Sequence, residues 1–388
     1  MNFKFSEDQI AIRDAIKKIC DDFSLDYWLE CDNTGNFPEE FVNKVCEAGW
    51  FGIAMPEEYG GSGLGITEAS IMMQTIAESG AGYTGASSVH INLFGLNPVV
   101  VFGSKEQKQR MLPPLIKGKD HACFGVTEPN AGLDTTMLDV KAEKAGDGYI
   151  ISGQKIWTSM AQRANKVLLL ARTTPKDKIK KKTDGLSLFY TDLNRDYAEV
   201  REIAKMGRKA VDSNSVFYDG MPVPQEDLIG EEGKGFHYIL HGLNPERILI
   251  AVEAIGIGRA ALNRAVEYGK EREVFGRPIG MNQAIQHPLA RNWMELEAAN
   301  LMSYNAAAKY DNGEECGAEA NAAKYLAAEA GFNACEQAVF THGGMGYAKE
   351  YHVERLMREV MIPRIAPVSR ELIFNYIAEK VLGLPRSF

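Results

Sequence analysis

Cysteine is scarce in this chain of 388 residues: Cys20, Cys31, Cys46, Cys123, Cys316 and Cys335 form no CxxC pair, and only Cys123 has a histidine close by, the single His121. That pattern suggests neither a zinc site nor a disulfide framework, so the six are read as reduced structural thiols. Basic charge is in deficit, with 43 Lys+Arg against 52 Asp+Glu and a net charge of −9. A phosphate-backbone binder needs the opposite balance, which excludes nucleic acid as a partner. Unbroken apolar runs are short. The longest, such as VLLLA and NPVVVF, fall well under the eighteen or so residues of a membrane span. The opening MNFKFSEDQIAIRDAIKK carries acids at once and lacks the basic lead and apolar block of a signal peptide, so a cytoplasmic location is expected. No GxSxG elbow and no Walker sequence is present, which removes the usual supports for acyl hydrolysis and phosphoryl transfer.

What is present is an ordinary globular composition, 45% hydrophobic and 24% charged, on a length that allows two or three domains. Ser6 and Gln9 make a capping box and Phe5 with Ile10 a hydrophobic staple, so a first helix starts there. Helical spacing continues through FPEEFVNKVCEAGW, ITEASIMMQTIAESG and SKEQKQRMLPPLIKG. Near residue 121 the period changes to two. LDVKAEKAGDGYIISGQKIW reads as two extended arms around Asp147-Gly148, and KVLLLARTT, LSLFYTDL and NSVFYDGMPV continue the pattern. After residue 232 helical spacing returns in long alanine-rich segments suited to an antiparallel bundle.

The expected fold is therefore α+β and multidomain: a helical domain over 1–120, an antiparallel β domain over 121–232 and a long four-helix bundle over 233–388. That order argues against a doubly wound dinucleotide fold, in which strands and helices alternate.

Several features read blandly. Gly60, Gly61, Gly63 and Gly65 lack the G-x-G-x-x-G spacing and a preceding strand, so they read as a loop between helices. His237 and His241 lie four apart without a third ligand and read as a structural pair, with no metal expected. The lysines between Lys176 and Lys182 read as a solvated turn.

Two segments are denser. CFGVTEPNAGLDTTM stands where helices give way to strands, and QKIWTSMAQRANKVLLLART follows the first hairpin. VTEPNAGLD resembles the V-T-E-P-x-A-G-S-D of the acyl-CoA dehydrogenase family, and QKIWTS resembles its G-x-K-x-W-I-T/S. EREVFGRPIGMNQAIQ, HGGMGYAKEYHVERLMRE and the chain's ending are similar too, so the likeness spans the whole sequence. It implies FAD as cofactor, an acyl-CoA substrate, an electron-transferring flavoprotein as partner and a homotetramer built as a dimer of dimers.

The resemblance implies that Phe124, Val126, Thr127, Leu133, Trp157, Thr158 and Ser159 line the flavin from one subunit. Alone, Trp157 would read as a core aromatic; within the motif it reads as a flat wall for the ring system. The turn holding Ala131 and Gly132 is expected to expose backbone N–H groups to the flavin. Arg272, Phe275, Gln283, Gly343 and Gly344 match positions that reach a neighbouring subunit's flavin, with Arg272 as the diphosphate partner. Out of that context Arg272 would read as a surface ion pair with Glu271 or Glu273. Ser369 and Glu371 in the late loop complete the cofactor set, and Leu133, Asn244 and Arg247 are assigned to the substrate.

Relatives place the α-proton base at one of two positions. The late loop here reads Ile365-Ala366-Pro367-Val368-Ser369, and an ungapped alignment from MREV puts Pro367 at the base position, so this loop supplies no carboxylate. Proline also lacks an N–H, which puts in doubt the loop's usual donor to the thioester carbonyl. The other position opens the bundle's long helix, as in isovaleryl- and long-chain-type members, and there stands Asn244-Pro245-Glu246-Arg247. Glu246 is the candidate base. The same residues also read as a helix start, with Asn244 as cap, Pro245 at N1 and Glu246 favoured by the macrodipole. Leu133 replaces a serine that contacts ligand in many relatives, so only its backbone could do so. An oxidase or flavin monooxygenase of the same fold, or a non-catalytic paralogue, is the alternative reading.

Overall fold

The structure is a computed structural model that describes residues 4–94 and 96–387. Its first region is helical: α1 (Glu7–Cys20), α2 (Leu25–Thr34), α3 (Glu39–Glu47), α4 (Ile66–Ile76), α5 (Gly82–Phe94), α6 (Asn97–Phe102) and α7 (Lys105–Ile116). The Ser6–Gln9 capping box forms as expected. Phe5 rests edge-on against Tyr304, 5.1 Å between ring centres. Over eighteen residues, part of Ile66–Phe102 is apolar enough to match a membrane span by length and composition, but 62% of that window is buried inside the fold. The Gly, Ser and Thr residues between its short apolar runs lower the average far less than charged residues would, so the window stays apolar although no run is long.

Between α4 and α5 the chain turns sharply at Gly80 and Gly82, both at positive φ. Glu359 seats the new helix, its carboxylate accepting from Thr84 N (3.1 Å) and Thr84 Oγ1 (2.7 Å), while Arg355 Nη2 donates to Gly80 O (2.6 Å). A Cβ at Gly82 would lie 2.4 Å from Glu359 Oε2. Gly82→Ala therefore combines left-handed strain with displacement of a buried carboxylate, and a loss of about 2 kcal/mol or more is expected from denaturant unfolding.

The middle region is an eight-stranded sheet built from β1 (Ala122–Gly125), β2 (Lys141–Ala145), β3 (Gly148–Ser159), β4 (Lys166–Arg172), β5 (Leu186–Asp192), β6 (Ala198–Glu202), β7 (Ser213–Pro224) and β8 (Leu228–Ile229). Strand order is β6-β7-β3-β2-β4-β5-β8, with β1 also on β4. The sheet is not wholly antiparallel as expected: β1 and one end of β2 run parallel to β4. β4 and β5 are buried along nearly their whole length, so they read as continuous apolar runs. The first hairpin turns on Gly146-Asp147 rather than Asp147-Gly148. Gly146 takes the positive φ, and Gly148 already pairs with Ala145.

The last region holds α8 (Gly235–Glu271), a two-stranded hairpin of β9 (Glu273–Val274) and β10 (Arg277–Pro278), then α9 (Gln283–Asp311), α10 (Gly317–His342), α11 (Val353–Glu359), α12 (Ile362–Ile365) and α13 (Arg370–Tyr376). α8 corrects the expected helix start. It begins at Gly235 and runs through Pro245, so Glu246 sits eleven residues inside it and has no exposed helix end beside it. Pro245 cannot donate to the His241 carbonyl, but packing of α8 against α4, α5, α9 and α10 carries the helix across the gap. One apolar core joins these helices to the first region.

Candidate active site

The two dense motifs come together through a buried ion pair. Lys155 on β3 is fully buried, and its ammonium donates to Val126 O (2.9 Å) and Glu128 Oε1 (2.8 Å). Glu128 also accepts from the amides of Asp139 (2.6 Å) and Val140 (2.9 Å). Burial pulls the Lys155 amine down to about 8 despite the carboxylate beside it. Ile156 N donates to Thr127 O (2.9 Å), which sets QKIWTS against VTEP.

Opposite β7, Lys155 pairs with Val216 but Thr158 with Asn214, so β3 carries one extra residue there. This bulge puts Trp157 at φ 60° and turns its ring outward, 55% exposed, while Lys155 and Thr158 face in. The hydroxyl of Thr158 is buried without a hydrogen-bond partner. An outward aromatic face and an unsatisfied hydroxyl beside Phe124, Val126 and Thr127 fit a flat, polar-edged ring system. Leu133 is exposed nearby in sequence. Ala131 departs from expectation, because its amide is spent on Glu128 O (3.1 Å). Around Gly132 the space where a side chain would sit is open.

Ser159 links this wall to the helices. Its hydroxyl accepts from Arg208 Nη2 (3.0 Å), and the same guanidinium reaches Ser213 Oγ (3.2 Å) and, on α5, Ser87 Oγ (3.2 Å). One turn on from Ser87 stands His90. Its Nε2 lies 2.7 Å from Glu246 Oε2, and its Nδ1 lies 2.5 Å from Glu253 Oε1. Side-chain exposure is 5% for His90, 15% for Glu246 and 0% for Glu253. Burial works against an imidazolium, but the two carboxylates outweigh it and hold His90 well above its ordinary value. Burial likewise pushes the Glu253 carboxyl up.

Arg208, His90 and Glu253 escape a reading of the sequence. Glu253 alone left a trace, as the one acid within ILIAVEAIGIG, where a charge needs a buried partner.

The other assigned residues lie elsewhere. Asn244 and Arg247 hydrogen-bond each other (2.9 Å), and the guanidinium, whose Nε is buried without a partner, feels Tyr376 of α13. In the late loop, Ala366 N donates to Ile362 O (2.9 Å), so with Pro367 neither residue offers a free amide. Lys324 Nζ holds that loop through Val368 O (2.6 Å). Ser369 caps α13, and Glu371 pairs with Arg370 at the surface.

Arg272 ends α8, Phe275 and Gly276 form the β9–β10 turn at φ 54° and 76°, Gln283 opens α9 and Gly343 closes α10. Stacking of Tyr268 on His342 (4.3 Å) brings these ends together. No side chain crowds Gly343 or Gly344. This group lies 26 residues along α8 from Glu246, about 39 Å at the helical rise. His241 packs edge-on against Phe102 (5.3 Å), and all six thiols are free.

Three family models match the chain: the acyl-CoA dehydrogenase N-terminal domain over residues 6–119, the middle domain over 123–221 and the C-terminal domain over 233–382. This chain belongs to the acyl-CoA dehydrogenase family. It is 37% identical to acyl-CoA dehydrogenase FadE12 of Mycobacterium tuberculosis, covering 100% of this chain and 99% of the relative. It is 34% identical to the caffeyl-CoA reductase-Etf complex subunit CarC of Acetobacterium woodii, over 92% and 94%. Among solved structures, the glutaryl-coenzyme A dehydrogenase glutaryl-CoA complex superposes with a TM-score of 0.94 at 30% identity, over 100% of this chain and 98% of that one. The protein is thus an oxidoreductase of the acyl-CoA dehydrogenase type, and FAD is its cofactor.

Proposed function

We propose that Glu246 is the base that removes the α proton of an acyl-CoA thioester in its conversion to the trans-2-enoyl-CoA. The observation that carries this reading is the Glu246 carboxylate, nearly enclosed and held by His90, one turn of α5 from the Ser87–Arg208–Ser159 link to the Trp157 wall. The late loop, the alternative source of a base, carries no carboxylate between Ile365 and Ser369. Near-enclosure serves the chemistry, since an α-proton acceptor gains from the exclusion of water.

FAD, when bound, supplies the acceptor for the hydride that leaves the β carbon. Phe124, Val126, Thr127, Leu133 and Trp157 to Ser159 would hold its ring end. Arg272, Phe275, Gln283, Gly343 and Gly344 would grip the far end of a flavin in a neighbouring subunit. Full exposure of Phe275, and of much of Tyr347 and Phe340 at the same end of the bundle, supports such a contact between subunits in a dimer of dimers. Ser369 and Glu371, with Asn244 and Arg247, are assigned to cofactor and substrate by family likeness.

The relative that is a subunit of an Etf complex supports an electron-transferring flavoprotein as acceptor. Purified protein mixed anaerobically with a panel of acyl-CoAs is expected to lose its flavin absorbance with at least one of them. Peroxide formed in air at the rate of turnover would overturn the dehydrogenase reading in favour of an oxidase. The panel should include compact arms. A cavity of about 130 Å³ lined by Leu93, Pro245 and Leu249, among others, is close to the ~150 Å³ that admits a benzene ring.

A further inference from the structure

The row Glu246–His90–Glu253 contains more charge than a lone base needs. Glu246 and Glu253 are seven residues apart, so they project from the same face of α8 about 10.5 Å apart along its axis. Buried without a cation, two carboxylates in that arrangement would repel each other and lose their hydration. His90 enters from α5 between them and uses both ring nitrogens, one on each carboxylate.

We propose that His90, oriented by Glu253, is the positioning residue for Glu246. It engages Oε2 of that carboxylate, so that Oε1 serves as the proton acceptor. The inference rests on the reading of Glu246 as base and extends it.

The geometry requires this division of labour. The ring is pinned at Nδ1 by a carboxylate with no solvent exposure, so it cannot swing away from α8. With Nδ1–H committed to Glu253, the protonated ring presents Nε2–H to Glu246 as a charge-assisted donor at 2.7 Å. A carboxylate held by one oxygen keeps a fixed plane, which places the second oxygen in one direction. α5 is itself fixed to α8, since Tyr83 OH donates to Ile250 O (3.1 Å). The other titratable groups acting on the row are that tyrosine, Arg247 beside Glu246 on α8, and Arg208, the cation that ties Ser87 to the wall carrying Trp157. Among the described residues the second oxygen of Glu253 has no hydrogen-bond partner and its carboxylate bonds only to His90, so the pair works as a unit.

The test compares His90→Gln, Glu253→Gln and Glu246→Gln as FAD-loaded full-length proteins, following the rate of flavin reduction by acyl-CoA, the FAD content and the Kd of an enoyl-CoA. His90→Gln and Glu253→Gln are expected to retain FAD and enoyl-CoA binding. Their reduction rate should fall about 10- to 100-fold, the loss typical of a misplaced reacting group. The acid limb of the rate against pH should also shift from its wild-type position, which a purely structural role for His90 would not produce. Both variants reducing flavin within twofold of wild type, with an unchanged pH profile, while Glu246→Gln is inert, would overturn the positioning role and leave the base in place. Normal reduction by Glu246→Gln would overturn both. If His90→Gln fails to fold, Glu253→Gln decides, because it leaves the imidazole and an accepting oxygen at Nδ1 in place and removes only the buried charge that holds the ring as a cation.

Discussion

Glu246→Gln is expected to leave a yellow protein that binds acyl-CoA and reduces its flavin 10²- to 10⁴-fold more slowly. The amide is close in size and its oxygen still accepts from His90, so packing of α8 is retained while the proton acceptor is lost. General base catalysis contributes a factor of this order, equivalent to about 3–5 kcal/mol of barrier. Stopped-flow absorbance under saturating acyl-CoA measures it directly. Unchanged FAD content and Kd with a collapsed rate assign the loss to the chemical step. Near-normal reduction would show that the proton leaves to another group.

The second large effect concerns the flavin wall. Lys155→Met is expected to destabilise the protein by about 3–5 kcal/mol and to yield protein short of FAD. The methionine fits the volume but leaves the Glu128 carboxylate, 6% exposed, without its cation. Two backbone amides still serve Glu128, so the loss belongs toward the lower end of that range. Denaturant unfolding and flavin content per chain provide the two readings. Adding Glu128→Gln should recover part of the stability, because the orphaned charge is removed with its partner; no recovery would show that the lysine's contact with Val126 O carries the effect instead.

Much of this was legible from local pattern. The change of period near residue 121 and its return after 232 were visible because strand and helix spacing depend only on near neighbours. Glu246 could be proposed from the sequence because its motif is contiguous. The boundary of α8 was not. Asn244-Pro245-Glu246 has the composition of a helix start, and only contacts with distant helices carry α8 back to Gly235. His90 lies 156 residues from Glu246 and 163 from Glu253, with nothing in its local sequence to announce either. The outward turn of Trp157 depends on a one-residue mismatch between β3 and β7, which neither strand reveals by itself. Local rules placed the elements, and the chemistry lay in what the elements meet.

The continuity of α8 has a mechanical consequence. Its 37 residues form one stiff lever, with Glu246 near one third of its length and Arg272 at the tip. A tilt of about 2° around Glu246 would carry the β9–β10 hairpin by about 1.4 Å at the far end, given the helical rise. Phe275, poised on a tight turn at that tip, would amplify any such swing. A helix broken at Pro245 would have let the two ends adjust separately. An unbroken one makes the seating of the hairpin and the aim of the carboxylate a single mechanical coordinate.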